Sequence, residues 1–274
     1  MPEGPEIRRA ADALSDAIKG QSIDHIRLPY HRLRPFGPRL RGQRITAFRT
    51  HGKALLTDFD NDWTLYSHNQ LYGLWQVARI QDPLLPGRRL RLELGHAKTC
   101  IRLYSATDIS LWRTRDLVHH SFLKRLGPDI LDPNLTVETI LARLGSIRFQ
   151  NQTLGKLYLD QHFLAGIGNY LRSEILFCAG VDGHRKPNQL SLQALTRLAR
   201  KTLEISQQSY RTGGLTLDYQ RAQTLQQAGA DFEHSRFWVF DRAGLPCYQC
   251  GQLIQRSAMG SRRLYTCPLC QKSS

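Results

Sequence analysis

Met1-Pro2-Glu3-Gly4-Pro5-Glu6 opens the chain, and the reading of this stretch organises the rest. If Met1 is removed, the new terminus is a secondary amine on Pro2 with the Glu3 carboxylate beside it. An α-amine titrates near about 7.7–8.0 and a lysine near about 10.4, so far more of the terminus is a free base at neutral pH. Such an amine can attack a sugar or carbonyl carbon and form an imine. With Met1 retained, the Pro2 nitrogen is a planar amide whose lone pair is delocalised, and it attacks nothing. The alternative is architectural: Pro2, Gly4 and Pro5 shape the start of a helix, with Pro5 where a first helical residue is favoured. Ile7, Ala11, Leu14 and Ile18 recur at helical spacing and Gly20 ends the run, so a helix is expected either way. That helix would anchor a terminus that otherwise frays.

From about Ser22 to Trp112 the pattern moves towards period two. Ile26-x-Leu28, Ile45-x-Ala47, Ala54-Leu55-Leu56, Trp75-x-Val77, Leu90-x-Leu92-x-Leu94 and Ile101-x-Leu103 read as short strands. Turns such as Asp60-Asn61-Asp62 and Pro83 to Gly87 separate them, which suggests a β-sandwich or barrel. This part holds no glycine-rich nucleotide motif, no P-loop and no serine-centred nucleophile elbow. In His51-Gly52-Lys53 the glycine allows a tight approach, and Lys53 reads either as a reach towards phosphate or as a solvated surface charge. Tyr66-Ser67-His68-Asn69-Gln70-Leu71-Tyr72-Gly73 sets an amide, an aliphatic and an aromatic side chain on a strand-connecting loop, or else Leu71 and Tyr72 are strand core.

Asp116 to Pro133 reads as a connector broken at Gly127-Pro128 and Asp132-Pro133. Beyond it the period becomes helical. Val137, Ile140, Leu141 and Leu144 form a stripe that Thr136 can cap and Gly145 can end. Leu157 to Leu164 is expected as one helix, Ala165-Gly166-Ile167-Gly168-Asn169 as a turn, and Tyr170 to Phe177 as the next helix. Glycines at a helix N-terminus expose N–H groups that suit phosphate, and Asn169 can add an amide donor. A further helix is expected over Ser191 to Ile205, with Leu192, Leu195, Leu198 and Thr202 on one side. Tyr210 to His234 reads as a mobile loop.

The C-terminus carries Cys247-x2-Cys250 and Cys267-x2-Cys270 with sixteen residues between the pairs. That spacing fits one structural, four-thiolate zinc ion, with disulfides as the alternative. Phe237 to Phe240 and Leu264-Tyr265 are expected as the strands of a β-hairpin finger, folded largely by its metal. Such a finger serves nucleic acid or protein. Cys100 and Cys178 read as buried packing thiols.

Composition narrows the partner. Over 274 residues the formal net charge is +15, with Lys and Arg spread throughout, which points to a polyanion, nucleic acid before membrane. No apolar run approaches the ~18–20 residues of a membrane span and no signal peptide is evident, so the expected location is cytoplasmic.

Met1-Pro2-Glu3-Gly4-Pro5-Glu6-Ile7 resembles the start of the formamidopyrimidine-DNA glycosylase/endonuclease VIII family, the Gly4 variant its endonuclease VIII branch. Leu159-Asp160-Gln161…Leu164-Ala165-Gly166-Ile167-Gly168-Asn169-Tyr170-Leu171-Arg172 resembles the family's helix–two-turns–helix, and the four cysteines its finger. The resemblance implies an α+β multidomain fold. A β-sandwich with a leading helix would span 1–132, a helical DNA-binding domain 133–235 and a zinc finger 236–274. It implies a bifunctional glycosylase and abasic-site lyase that removes oxidised bases from damaged double-stranded DNA. Pro2 would be the nucleophile, Glu3 the proton carrier, Lys53 and Arg262 helpers, and Glu6 a weaker candidate. Gln70, Leu71 and Tyr72 would enter the duplex, as wedges do beside an extruded base. Arg125 and Asn169 would touch DNA lying in a basic cleft. The implied protein is a nucleoid-associated monomer without nucleotide cofactor. Gln70-Leu71-Tyr72 favours oxidised pyrimidines. Arg211 to Asp231 is more like the formamidopyrimidine branch and leaves oxidised purines open, and a non-catalytic damage-binding protein is the rival of another class.

Overall fold

The leading helix, α1, spans Gly4–Ile18 and buries Ile7, Ala11, Leu14 and Ile18, the stripe its period requires. Each large side chain of that stripe contributes about 1.5–3 kcal/mol relative to exposure. Glu3 is the N-cap, and its main-chain N–H donates to Glu6 Oε2 at 2.9 Å. Gly20, at φ +81°, lets the chain leave the helix. The computed structural model describes residues 2–272, and its chain divides at Arg125–Leu126 into two compact units.

In the first unit α1 is followed by β1 (His25–Arg27), a 3-10 turn, the single-turn α2 (Gly37–Leu40), β2 (Ile45–His51), β3 (Ala54–Phe59) and β4 (Trp63–His68). Then come β5 (Leu74–Arg79), β6 (Leu90–His96), β7 (Thr99–Tyr104) and β8 (Asp108–Arg113). They form two four-stranded sheets, in the orders β1-β6-β7-β5 and β2-β3-β4-β8, with every pair antiparallel. One core joins them: Leu55, Phe59 and Leu65 from one sheet meet Leu92, Ile101 and Leu103 from the other, together with the α1 stripe. This is the expected sandwich with its leading helix. β4 hides its alternation because Thr64 to Ser67 are buried throughout. The second face of its sheet carries Ala54, Leu56 and Tyr66, covered by Trp112, Phe122 and Leu123.

The second unit is helical. It holds α3 (Val137–Leu144), α4 (Leu154–Leu157), α5 (Asn169–Cys178), α6 (Leu192–Arg211), α7 (Tyr219–Gln227) and α8 (Phe232–Ser235), and ends in the hairpin β9 (Gln255–Met259) and β10 (Arg262–Thr266). Thr136 Oγ1 accepts the Thr139 N–H at 3.2 Å and caps α3 as expected.

Four expectations are corrected here. Leu157 to Leu164 is not one helix: α4 stops at Leu157, where the Asp160 carboxylate takes the His162 N–H at 2.9 Å and folds the chain into turns. Phe237 to Phe240 is not a strand, because the N–H groups of Trp238, Val239 and Phe240 all donate to the Glu174 carboxylate and cannot join a ladder. The finger's hairpin is β9–β10 instead. Tyr210 to His234 is not one continuous loop, since Asp218 accepts the Arg221 N–H and starts α7. Only Ala222 of α7 is buried, so no apolar stripe betrayed it. Finally, α6 runs on to Arg211 and turns Leu192 outwards, burying Ala194, Leu198, Thr202 and Ile205. Cys100 is buried as expected, and Cys178 is only partly so.

Candidate active site

Pro2 directly precedes the α1 cap and is half-buried, and Glu3 is 3% exposed, while Met1 lies outside the described residues. The cap holds the chain around Pro2 by the bond from Glu3 N–H to Glu6, and Glu6 in turn pairs with Arg9 at 3.0 Å. Glu6 thus takes part in the helix start. Lys53 lies in the two-residue turn between β2 and β3, where His51 pairs with Ala54. Gly52 takes φ +61°, the left-handed value that such a hairpin needs at its first central residue. Lys53 is 7% exposed, which removes it from the class of solvated surface lysines.

His68, at the end of β4 and opposite Ala54, was not singled out in the sequence. Burial lowers its pKa, the charge of Lys53 lowers it further, and Asp108 opposes both. Neutral His68 can therefore accept, and its Nδ1 takes the Gln70 N–H at 3.0 Å. Asp108 accepts from the Tyr66 hydroxyl at 3.0 Å. His120 is likewise kept neutral by burial, with Asp108 opposing, and its Nδ1 faces the N–H groups of Phe122 and Leu123 at 3.3 and 3.4 Å. This orders the segment leading to Arg125, whose exposed side chain is steadied by Nε donating to the Ser121 carbonyl at 2.7 Å. Gln70, Leu71 and Tyr72 lie on the β4–β5 turn, and Leu71 and Tyr72 are 58% and 73% exposed. They are not strand core.

In the second unit, Gln161 organises the turns before α5. Its amide donates to the carbonyls of Leu159 and Ile167 and accepts the Gly166 N–H, all within 3.0 Å. Gly168 caps α5 and Asn169 is its first residue. Arg172 Nη2 donates to Asn169 Oδ1 at 2.7 Å, so the oxygen end of that amide is engaged and its NH2 end is the one left to donate. The same Nη2 reaches the Arg263 carbonyl at 2.6 Å, and Nη1 the Gly155 carbonyl at 2.8 Å. Asn169 is thereby tied to the hairpin that carries Arg262. Arg262 is exposed at the start of β10, paired with Met259. Met259 closes over Gly155, where a Cβ would stand 2.2 Å from its sulfur and push the methionine aside.

The four cysteines converge. All four Sγ atoms lie within 4.8 Å of one another, with Cys247–Cys270 at 3.9 Å and Cys250–Cys267 at 3.4 Å. A tetrahedron of sulfurs about 2.3 Å from a metal has edges of about 3.8 Å, whereas a disulfide would need about 2.05 Å. The donor set fits one four-coordinate thiophilic cation. Gln271 fixes this end of the chain by accepting the Cys267 N–H and donating to the Val181 carbonyl.

Glu174 completes the unit. Its carboxylate is wholly buried and accepts from Thr216 Oγ1 at 2.5 Å as well as from the three N–H groups of Trp238, Val239 and Phe240. Burial pushes its pKa up and the donors pull it back. Three of the four partners are main-chain N–H groups that can only donate, yet burial prevails and holds the carboxyl above its ordinary range. Among the described residues no helix is long and apolar enough to cross a membrane.

Comparison with known proteins gives the family and the fold. Residues 1–117 match the formamidopyrimidine-DNA glycosylase N-terminal domain, and residues 126–221 match the formamidopyrimidine-DNA glycosylase H2TH domain. The chain is 48% identical over 271 residues to endonuclease 8 of Escherichia coli (strain K12 / DH10B), covering 99% of this chain and 100% of the relative. It is 47% identical to endonuclease 8 of Enterobacter sp. (strain 638), with the same coverage. The Lactococcus lactis Fpg in complex with DNA containing an abasic site superposes with a TM-score of 0.82 at 22% identity, covering 99% and 100% of the two chains. Wild-type Lactococcus lactis Fpg with N7-benzyl-Fapy-dG DNA gives 0.83 at 23%, with equal coverage, so the fold is shared. The chain belongs to the formamidopyrimidine-DNA glycosylase family, and in sequence it is more similar to the endonuclease 8 relatives than to these Fpg structures.

Proposed function

We propose that the chain is a bifunctional base-excision-repair enzyme, a DNA glycosylase and abasic-site lyase acting on oxidised bases in duplex DNA. The observation that carries this reading is end-to-end identity of 48% with an endonuclease 8. After Met1 is removed, the Pro2 amine attacks C1′ of the damaged nucleotide. The C1′–N bond breaks and the base leaves with the electron pair, taking a proton that Glu3 delivers. Loss of the amine proton and opening of the sugar C1′–O4′ bond, with O4′ taking up a proton, leave an iminium that acidifies the C2′ proton. Its removal expels the 3′ phosphate, and a second elimination expels the 5′ phosphate. Lys53 and Arg262 assist as cations, the first screened from water by burial and the second exposed to the backbone.

Gln70, Leu71 and Tyr72 fill the space of the extruded nucleotide, and Arg125 and the Asn169 amide contact the DNA. The wedge supports oxidised pyrimidines as the preferred lesions. The four thiolates hold zinc in a structural role, since four protein ligands leave no open position. The domains 1–132, 133–235 and 236–274, a monomeric state and a nucleoid-associated cytoplasmic location belong to the same proposal. Excision assays on duplexes carrying thymine glycol, 5-hydroxyuracil or 8-oxoguanine test it. Faster release of the pyrimidines supports the reading, and faster release of 8-oxoguanine moves the chain to purines. Binding without release of any base leaves a damage-binding protein.

A further inference from the structure

The β4–β5 turn is held in one shape by its neighbours. Gln70 adopts φ +52°, a left-handed value unusual for a residue with a side chain, and its N–H is fixed on His68 Nδ1 at 3.0 Å. The Gly73 N–H closes the turn on the Asn69 carbonyl at 2.7 Å. Arg88 Nη1 holds the Tyr72 carbonyl at 2.8 Å. The exposed Leu71 and Tyr72 are therefore carried on a braced backbone.

One further bond acts on a side chain. Thr107, just before β8, donates its hydroxyl to Gln70 Oε1 at 2.6 Å. Its own carbonyl accepts from the Tyr30 hydroxyl at 3.0 Å, which fixes the backbone from which it donates. A primary amide offers an acceptor at one end and two donors at the other. At 2.6 Å the contact suits an O–H···O bond and is short for N–H···O, so Oε1 is the engaged end and the NH2 end is the one left to donate. An untethered glutamine would offer either end.

We propose that Thr107 is a specificity-determining positioning residue: by holding Gln70 Oε1, it makes the turn present a hydrogen-bond donor to the base left opposite the extruded nucleotide. The inference rests on the proposed entry of Gln70, Leu71 and Tyr72 into the duplex. A fixed donor discriminates among the four opposite bases by the acceptors each presents, whereas an amide free to flip accommodates all of them. A hydrogen bond of this kind is worth roughly 2- to 10-fold in an equilibrium.

Single-turnover excision of one lesion placed opposite each of the four bases tests this, in the wild type, Thr107→Val and Thr107→Ser. The readout is the ratio of the fastest to the slowest opposite base, which a uniform loss of activity leaves unmoved. Valine keeps the shape and removes the donor, and its ratio is expected to fall by roughly 2- to 10-fold towards unity. Serine restores the hydroxyl and with it the wild-type ratio. In the free protein, the Gln70 side-chain amide resonances should shift in Thr107→Val and stay in place in Thr107→Ser. A ratio unchanged by valine, equally lost with serine, or already near unity in the wild type overturns the proposal while leaving the enzyme reading standing. A wild type that releases no base removes the enzyme reading and this proposal together.

Discussion

Arg172 on α5 donates through Nη2 to the main-chain carbonyl of Arg263 on β10 at 2.6 Å. The guanidinium is wholly buried and also holds Asn169 Oδ1 and the Gly155 carbonyl. A planar fork of donors can satisfy separate oxygens at once, which a lysine ammonium on a single flexible stem does poorly. Arg172→Ala strands these oxygens and costs about 3 kcal/mol or more. Its Tm is expected to fall by roughly 6–12 °C. Hydrogen exchange should quicken in β9 and β10, with zinc content intact. Arg172→Lys should recover only part of the loss, and an unaltered hairpin in either variant contradicts the account.

Glu174 fixes the segment that the sequence pattern suggested was a strand. Glu174→Gln sets an amide NH2 against at least one main-chain N–H whichever way the amide turns, and is expected to cost about 2–4 kcal/mol. Faster exchange at Trp238, Val239 and Phe240, in a chain that still folds, is the result that checks it. Unchanged protection there would mean that the neutral form fits as well as the carboxylate.

Metal removal should act locally. Stripping zinc with a chelator, or Cys250→Ala, is expected to abolish the protection of β9 and β10 while the sandwich melts as before. Metal analysis should find one zinc per chain before treatment. An apo-protein whose hairpin stays protected would argue that packing of Leu264 and Met259 on the helical core suffices without metal.

The first unit should weaken in acid. His68 and His120 both have folded pKa values held below the ordinary value by burial, despite Asp108. Below about pH 6.5 the unfolded chain binds protons that the folded unit still refuses, so stability falls as pH drops, by up to about 1.4 kcal/mol per pH unit for each histidine. Hydrogen exchange of β4 and β8 between pH 7.5 and 5.5, corrected for intrinsic rates, measures this. His120→Asn should flatten the slope, and stability that rises on acidification contradicts it.

DNA binding should depend steeply on salt, with a slope of about −0.9 per phosphate contacted. Arg125→Ala is expected to reduce that slope by about one and to weaken binding equally across sequences. A slope near zero in the wild type would remove the electrostatic basis of the proposal.

The pattern of residues made some of this architecture legible and hid the rest for physical reasons. α1 could be read because its apolar stripe faces a single core, and the four cysteines because thiolate spacing is informative in itself. Arg102 had the look of an outward strand residue between Ile101 and Leu103. It is 1% exposed and holds Glu93 and four loop carbonyls. Arg172 and Glu174 were hidden in the same way, since Arg263 lies 91 positions from the first and Trp238 lies 64 from the second, and such pairs leave no periodic trace. The Leu157–Leu164 stretch misled because its apolar residues suit a helix, whereas the Asp160 and Gln161 side chains fold it into turns. At the candidate site, Pro2, Glu3 and Lys53 stood out by residue type and resemblance. His68 and Thr107 acquire meaning only from what their side chains hold.

The most direct test of the central claim is borohydride trapping on duplex DNA carrying one thymine glycol, followed by peptide mapping of the linked residue. A covalent complex through the Pro2 nitrogen is expected in protein lacking Met1. Pro2→Gly should alter this complex, and Glu3→Gln should lose it on the intact lesion. A complex that maps to Lys53 or another lysine, or no complex from zinc-loaded protein lacking Met1 on either the lesion or an abasic site, would contradict it.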